Sequence, residues 1–241
     1  KPILGETIRN TIKSPYPACN VLRRNEPVAT DTVYSDTPAV DNGAMFAQFF
    51  VGRKSNVTDA YSMMHQKQFV NTLEDVIRRR GAMDRLLSDR ARLEISERTK
   101  EILRALVIDD WQSEPHYQHQ NYAERKYRDV KAAVNWTLNH TGAPDEAWFL
   151  CLEYVCYILN RTALKSLKWR TPLEVLTGVP PGISVIKDSF EFWDPVYILR
   201  YEASTKESRG KFPSESNEVK ARFVGFSENV GHCHTFKVLT D

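Results

Sequence analysis

The chain has no apolar run approaching the ~18 residues that a membrane-crossing helix needs, and nothing at its start resembles a signal peptide, since Lys1-Pro2-Ile3-Leu4-Gly5 leads into polar residues. It also opens without a methionine, which reads as a segment excised from something longer. Cysteine is scarce: Cys19, Cys151, Cys156 and Cys233 are scattered and form no C-x-x-C pair. That usage suits a reducing compartment, with Cys151 and Cys156 as small core residues of an apolar helix. Charge of one sign is lacking too. The 33 basic and 31 acidic residues leave a net charge of +2, so attraction to nucleic acid would have to come from local clusters rather than from the whole molecule. No internal repeat or long low-complexity tract is visible.

What remains has the balance of a soluble globular protein, with 41% hydrophobic and 27% charged residues. Its 241 residues suffice for one large domain, or for a core domain with a small satellite. Basic residues gather at Arg23-Arg24, Arg78-Arg79-Arg80, Arg125-Lys126-Tyr127-Arg128 and Lys165-Ser166-Leu167-Lys168-Trp169-Arg170. Any one such cluster is usually a solvated face.

The most informative stretch is Pro115-His116-Tyr117-Gln118-His119-Gln120-Asn121-Tyr122-Ala123-Glu124-Arg125-Lys126, a polar loop turning into a helix. Asn121 suits an N-cap, and Asn121-x-x-Glu124 has capping-box spacing. Tyr127, Val130, Val134 and Leu138 form an apolar stripe, with Glu124, Arg128 and Lys131 along one border. Glu124 is thus placed in the first turn, beside the core. A helix cap alone would explain it.

Two upstream carboxylates give Glu124 company: Asp36 in Val33-Tyr34-Ser35-Asp36-Thr37-Pro38, and Asp89 after Met83–Ser88, 35 positions before Glu124. Each punctuates a short apolar run. This pattern resembles the D,D,E triad of retroviral-type integrases, and its wording resembles the integrases of copia-type LTR retrotransposons. The third carboxylate of that family stands in a Pro…Gln-Asn-Gly-x-Ala-Glu-Arg context; here it is Pro115…Gln120-Asn121-Tyr122-Ala123-Glu124-Arg125, with Tyr122 a departure. The second stands in Ser-Asp-Asn-Gly. Ser88-Asp89 matches it, and Arg90-Ala91 departs from it. The likeness runs from about Thr32 to Leu176. Asp31 and Asp41 compete with Asp36, and Asp84 competes with Asp89; the Ser-Asp contexts favour Asp36 and Asp89.

The expected elements agree. Residues 1–30 form a proline-interrupted extended lead-in. Strands follow at Thr32–Thr37, Ala44–Gly52 and Val57–Met64, then a helix at Gln66–Arg80, a strand at Met83–Ser88 and a helix at Glu94–Val107. Asp109-Asp110-Trp111 reads as a loop or cap. Helices follow at Tyr122–His140, Pro144–Arg161 and Thr171–Leu176. This order is α/β, that of an RNase H-like mixed sheet flanked by helices, with the catalytic core over 31–187. Residues 188–241 read as a small β module, with strands near 195–201, 219–226 and 234–239. The helix 144–161 is apolar nearly all round and should be buried against the sheet or a partner chain. His116 with His119, and His232-Cys233-His234, have slight ligand potential. The tryptophans read as core anchors, except Trp169, which between Lys168 and Arg170 suits a surface role.

The resemblance implies a chemistry. Asp36, Asp89 and Glu124 would be both the catalytic carboxylates and the ligands of two Mg²⁺ or Mn²⁺ ions. The reactions would be 3′-end processing and strand transfer of element DNA into target DNA. Gln120, Asn121, Arg125, Lys126, Arg128 and Lys131 would contact double-stranded DNA. Self-association as a homo-oligomer, an N-terminal zinc module lying upstream of residue 1, and action in the nucleus after assembly in a cytoplasmic particle are implied likewise. A catalytically degenerate or domesticated integrase fold that only binds DNA or protein is the alternative, and Arg90-Ala91 favours it.

Overall fold

The computed structural model describes residues 21–88, 96–112, 122–183, 186, 190–199, 218–228 and 235–240. The chain divides into two compact units, Lys1–Tyr34 with Phe46–Tyr127, and Ser35–Met45 with Arg128–Asp241.

The first unit is built on a five-stranded mixed sheet. Its strands are β1 (Pro27–Tyr34), β2 (Phe46–Gly52), β3 (Thr58–Met63), β4 (Arg85–Ser88) and β5 (Asp109–Gln112), ordered β3-β2-β1-β4-β5. β1, β2 and β3 pair antiparallel, whereas β4 and β5 run parallel to β1. Helices α1 (Phe69–Arg80) and α2 (Glu97–Ala105) follow β3 and β4. Their apolar stripes, Leu73, Val76 and Ile77 from α1 and Ile102 and Leu103 from α2, join Val28, Phe50 and Leu86 of the sheet in one core. Gly81, with φ of 92°, ends α1, and Ser96 caps α2 by accepting from the Thr99 N–H at 3.2 Å.

β5 departs from the expected loop at Asp109-Asp110. It is a four-residue strand at the sheet edge whose exposed acids carry no apolar alternation, and it exists because β4 supplies a parallel ladder. A charged, short edge strand is how sheets discourage further pairing. β1 also starts at Pro27, ahead of the core boundary expected at residue 31.

The stub before β1 is structural rather than a solvated basic face. Glu26, 2% exposed, accepts from Arg24 Nη2 at 2.6 Å, Ser55 Oγ at 2.7 Å, Ser55 N at 2.8 Å and Lys54 N at 2.9 Å. Burial pushes its carboxyl up, but the Arg24 guanidinium and the Ser55 bonds outweigh that, and the pKa lies below the ordinary 4.5. Gly52 faces this network: a Cβ there would collide with the Glu26 carboxylate, the Arg24 guanidinium and Ser55 Oγ. A second enclosed ion pair joins Arg80 of α1 to Asp59 of β3 at 2.8 Å.

The second unit carries α4 (Trp148–Arg161), α5 (Pro172–Thr177) and an antiparallel sheet of β6 (Pro195–Leu199), β7 (Glu218–Phe226) and β8 (Phe236–Thr240), ordered β6-β7-β8. The apolar helix expected at 144–161 finds its partner here. Tyr154, Tyr157 and Ile158 of α4 pack on Phe223, Phe226 and Val196 of this sheet, and Tyr157 stacks on Phe226 with centroids 4.6 Å apart. At the end of α4, Arg161 lies 3.4 Å over the Tyr157 ring and 2.9 Å from Glu228, an ion pair whose angles fall outside hydrogen-bond geometry. Cys151 and Cys156 are buried thiols; Cys151 Sγ sits 3.7 Å from the Val134 carbonyl, and burial pushes its thiol up to about 12. No helix among the described residues is long and apolar enough to cross a membrane.

Candidate active site

The remaining helix, α3 (Tyr122–Thr141), carries Glu124 in its first turn. Ala123, Val130, Val134 and Leu138 are buried along it, so the apolar stripe falls where the periodicity places it. Two contacts seat its start within the first unit. The Tyr122 hydroxyl donates to the Pro27 carbonyl at 3.0 Å, and the Tyr127 ring meets Phe49 edge-on with centroids 5.6 Å apart. The Pro27 carbonyl also accepts from the Arg53 N–H at 2.9 Å, which uses both of its lone pairs. Tyr122, the single residue between Asn121 and Ala123 where the resembled motif has Gly-x, is thus an anchor between helix and strand.

The register of β1 against β2 decides which aspartate looks toward this helix. Asp31 is the cross-strand partner of Phe49, and partners share a face of the sheet. Thr30 is the partner of Phe50, which packs in the core beneath α1. Asp31 therefore lies on the face that receives Tyr127. The Tyr127 phenol is raised above its ordinary pKa by burial and then by the nearby Asp31 carboxylate. Glu124 precedes Tyr127 by three residues, on the same side of α3. Asp31 thus lies near Tyr127, and Glu124 stands one turn before Tyr127 on α3, within one compact unit.

Asp36 is placed differently. It is exposed, in the turn after β1, where Ser35 Oγ donates to the Thr37 carbonyl at 2.8 Å and accepts from the Thr37 N–H at 3.1 Å. That turn belongs to the second unit, where the Trp148 indole donates to the Thr37 carbonyl at 2.9 Å. The Ser-Asp context that favoured Asp36 is a turn signature, and the strand carboxylate of β1 is Asp31. Asp89, Gln120 and Asn121, with the loop from Ser113, lie outside the described residues.

Of the four cations expected to touch DNA, all lie on α3, but not on one side. At about 100° per residue, Arg128 and Lys131 fall within roughly 40° of Glu124, Arg125 is about 100° away, and Lys126 is roughly 160° round the helix. Arg125, Arg128 and Lys131 are exposed; Lys126 is half-buried.

The donor set fits a hard divalent cation. Asp31 and Glu124 offer carboxylate oxygens only, the ligands that Mg²⁺ and Mn²⁺ prefer. At the end of β4, next to Asp89, Ser88 Oγ is enclosed and has no hydrogen-bond partner among the described residues. No three His, Cys, Asp or Glu side chains among the described residues group closely enough to hold a metal by themselves.

Solved structures with this architecture include retroviral integrase cores. The HTLV-2 integrase catalytic core domain in complex with magnesium aligns with a TM-score of 0.51 at 12% identity, over 63% of this chain and 96% of that one. The BIV integrase catalytic core domain aligns with a TM-score of 0.51 at 17% identity, over 64% and 95%. The fold is that of a retroviral integrase catalytic core.

Beyond that core, a simian T-cell lymphotropic virus intasome in complex with PP2A regulatory subunit B56 gamma aligns with a TM-score of 0.52 at 11% identity, over 98% of this chain and 86% of that one. No family model matches. Among curated proteins, the retrovirus-related Pol polyprotein from transposon RE2 of Arabidopsis thaliana is 28% identical over 81 residues. That stretch is 33% of this chain and 6% of the polyprotein. The integrase-type core, the RNase H-like mixed sheet and the small C-terminal sheet read from the sequence all stand.

Proposed function

We propose that this chain is the integrase core of a copia-type LTR retrotransposon, cutting and joining DNA with Asp31, Asp89 and Glu124. The observation that carries the proposal is the placement of Asp31 near Tyr127, one helical turn from Glu124, inside an integrase-type fold. The likeness to a transposon Pol polyprotein and to a magnesium-bound integrase core supports it.

Asp31, Asp89 and Glu124 would hold two Mg²⁺ or Mn²⁺ ions. When bound, such ions lower the pKa of an attacking water or 3′-hydroxyl and stabilise the leaving 3′-oxygen of a phosphodiester. The chain's part is placement. Tyr122 on β1 and Tyr127 on β2 fix the first turns of α3 on the sheet that carries Asp31. Arg128 and Lys131, on the Glu124 side of α3, bind backbone phosphates and set the register of the duplex without reading its sequence. Arg125 extends this contact; Lys126 does not share it. The substrates are duplex ends of the element and a target duplex, handled in the nucleus by an oligomer of this chain.

The test is strand transfer on a labelled duplex with Mg²⁺ or Mn²⁺. Asp31→Asn, Asp89→Asn and Glu124→Gln should each abolish joining, whereas Asp36→Asn should retain most of it. Loss with Asp36→Asn and retention with Asp31→Asn would restore Asp36 as the first carboxylate. A second reading has its own observation, Arg90-Ala91 in place of Asn-Gly beside Asp89. If the wild type binds DNA but joins nothing with either metal, a non-catalytic DNA-binding fold is the better account.

A further inference from the structure

The connection between α4 and α5, Thr162–Thr171, has no part in the site above. It is a closed, hydrogen-bonded loop. The Leu164 N–H donates to the Arg170 carbonyl at 3.1 Å, the Trp169 N–H donates back to the Leu164 carbonyl at 3.0 Å, and Lys165–Leu167 forms a 3-10 turn. Both stems are fixed. Arg161 is held by Tyr157 and Glu228, and Thr171 caps α5 by accepting from the Glu174 N–H at 3.1 Å, with Pro172 at the first helical position.

Within that frame Lys168 and Trp169 stand at φ of 57° and 63°, adjacent residues with side chains in the left-handed region that only glycine enters freely. Such backbone persists only where the surroundings impose it. Its result is to turn the Trp169 indole outward, 71% exposed, with Lys165, Lys168 and Arg170 exposed around it. Among the described residues none of these three cations is ion-paired, and residues 162–171 contain no Asp or Glu. The next acid along the chain, Glu174, is engaged on the Thr171 N–H at 3.4 Å.

We infer that this loop binds unpaired DNA, a base stacking on Trp169 while the adjoining phosphates meet Lys165, Lys168 and Arg170. An aromatic face among unpaired cations is the composition of a single-strand platform: every base offers a π face, and the cations neutralise the backbone. A protein-docking hot spot would instead set the indole in an apolar surround sealed from water, which three exposed cations do not provide. The inference goes beyond the catalytic reading and does not depend on it.

The experiment measures anisotropy of labelled oligothymidylate, and of a blunt duplex of equal length, with the full chain in chelator. Trp169→Ala should weaken oligothymidylate binding about tenfold, leave the blunt duplex unaffected and leave the thermal midpoint unchanged. Trp169→Phe should recover most of the loss. Replacing Lys165, Lys168 and Arg170 with alanine should flatten the salt dependence on the single strand. Equal oligothymidylate binding by Trp169→Ala and the wild type would overturn the inference. So would a fall in midpoint with both DNA forms weakened alike, which would make the indole structural. Loss of self-association by sedimentation with DNA binding intact would overturn it too, in favour of a protein contact.

Discussion

At the scale of single residues, Glu26 shows how a basic pair read as surface becomes interior. Arg23-Arg24 has the composition of a solvated cluster, yet Arg24 is enclosed because the Glu26 carboxylate and the turn at Lys54-Ser55 close over it. Sequence spacing cannot show this, since the partners are 28 and 29 positions apart. Glu26→Gln is expected to cost roughly 3 kcal/mol by stranding Arg24, measured as a shift in urea midpoint at neutral pH. Because the folded carboxyl lies below its ordinary 4.5, its stabilisation is complete above that value and is lost as the pH falls through the folded pKa. The gap between variant and wild type should therefore narrow in acid. A constant gap would mean that Glu26 acts by shape alone. Gly52→Ala, which drives a Cβ into the same network, is expected to cost about 1–3 kcal/mol by the same assay. The choice between Asp31 and Asp36 also belongs to this scale. Each follows a hydroxyl residue that ends a short apolar run, and only the pairing register shows that Asp31 shares a face with Phe49.

Elements were legible where burial imposes a period. The continuous apolar run of β2, the stripes of α1 and α3, and the Thr171-Pro172 start of α5 all stand as read. β5 was not, because an edge strand with exposed acids has no pattern to declare. The partner of α4 was not either: an apolar surround predicts burial but does not name the sheet. For α3, the tie to β1 gives a direct test. Tyr122→Phe is expected to lower stability by about 1 kcal/mol and to reduce strand transfer by more than that loss accounts for, since Glu124 rides on the same turn. Unchanged joining would show that Tyr127 suffices to seat the helix. The seating has its own signature in the Tyr127 phenol, whose pKa should fall in Asp31→Asn and not in Asp36→Asn, read by NMR titration of labelled tyrosine.

For the whole molecule, a net charge of +2 leaves no general field to hold DNA. Binding should come from a few placed cations, and salt dependence counts them. Removing Arg125, Arg128 or Lys131 is expected to reduce the slope of log affinity against log salt on duplex DNA by roughly 0.9 each, with Lys126 contributing least. Equal effects from all four would mean that the duplex does not lie along the Glu124 side of α3. Cys151 is enclosed and its thiol pushed up to about 12, so at neutral pH almost none of it is thiolate. A maleimide can therefore modify it only when the surrounding structure opens. The rate at which that mass adduct appears makes Cys151 a built-in clock for the opening of its unit, readable with no label introduced.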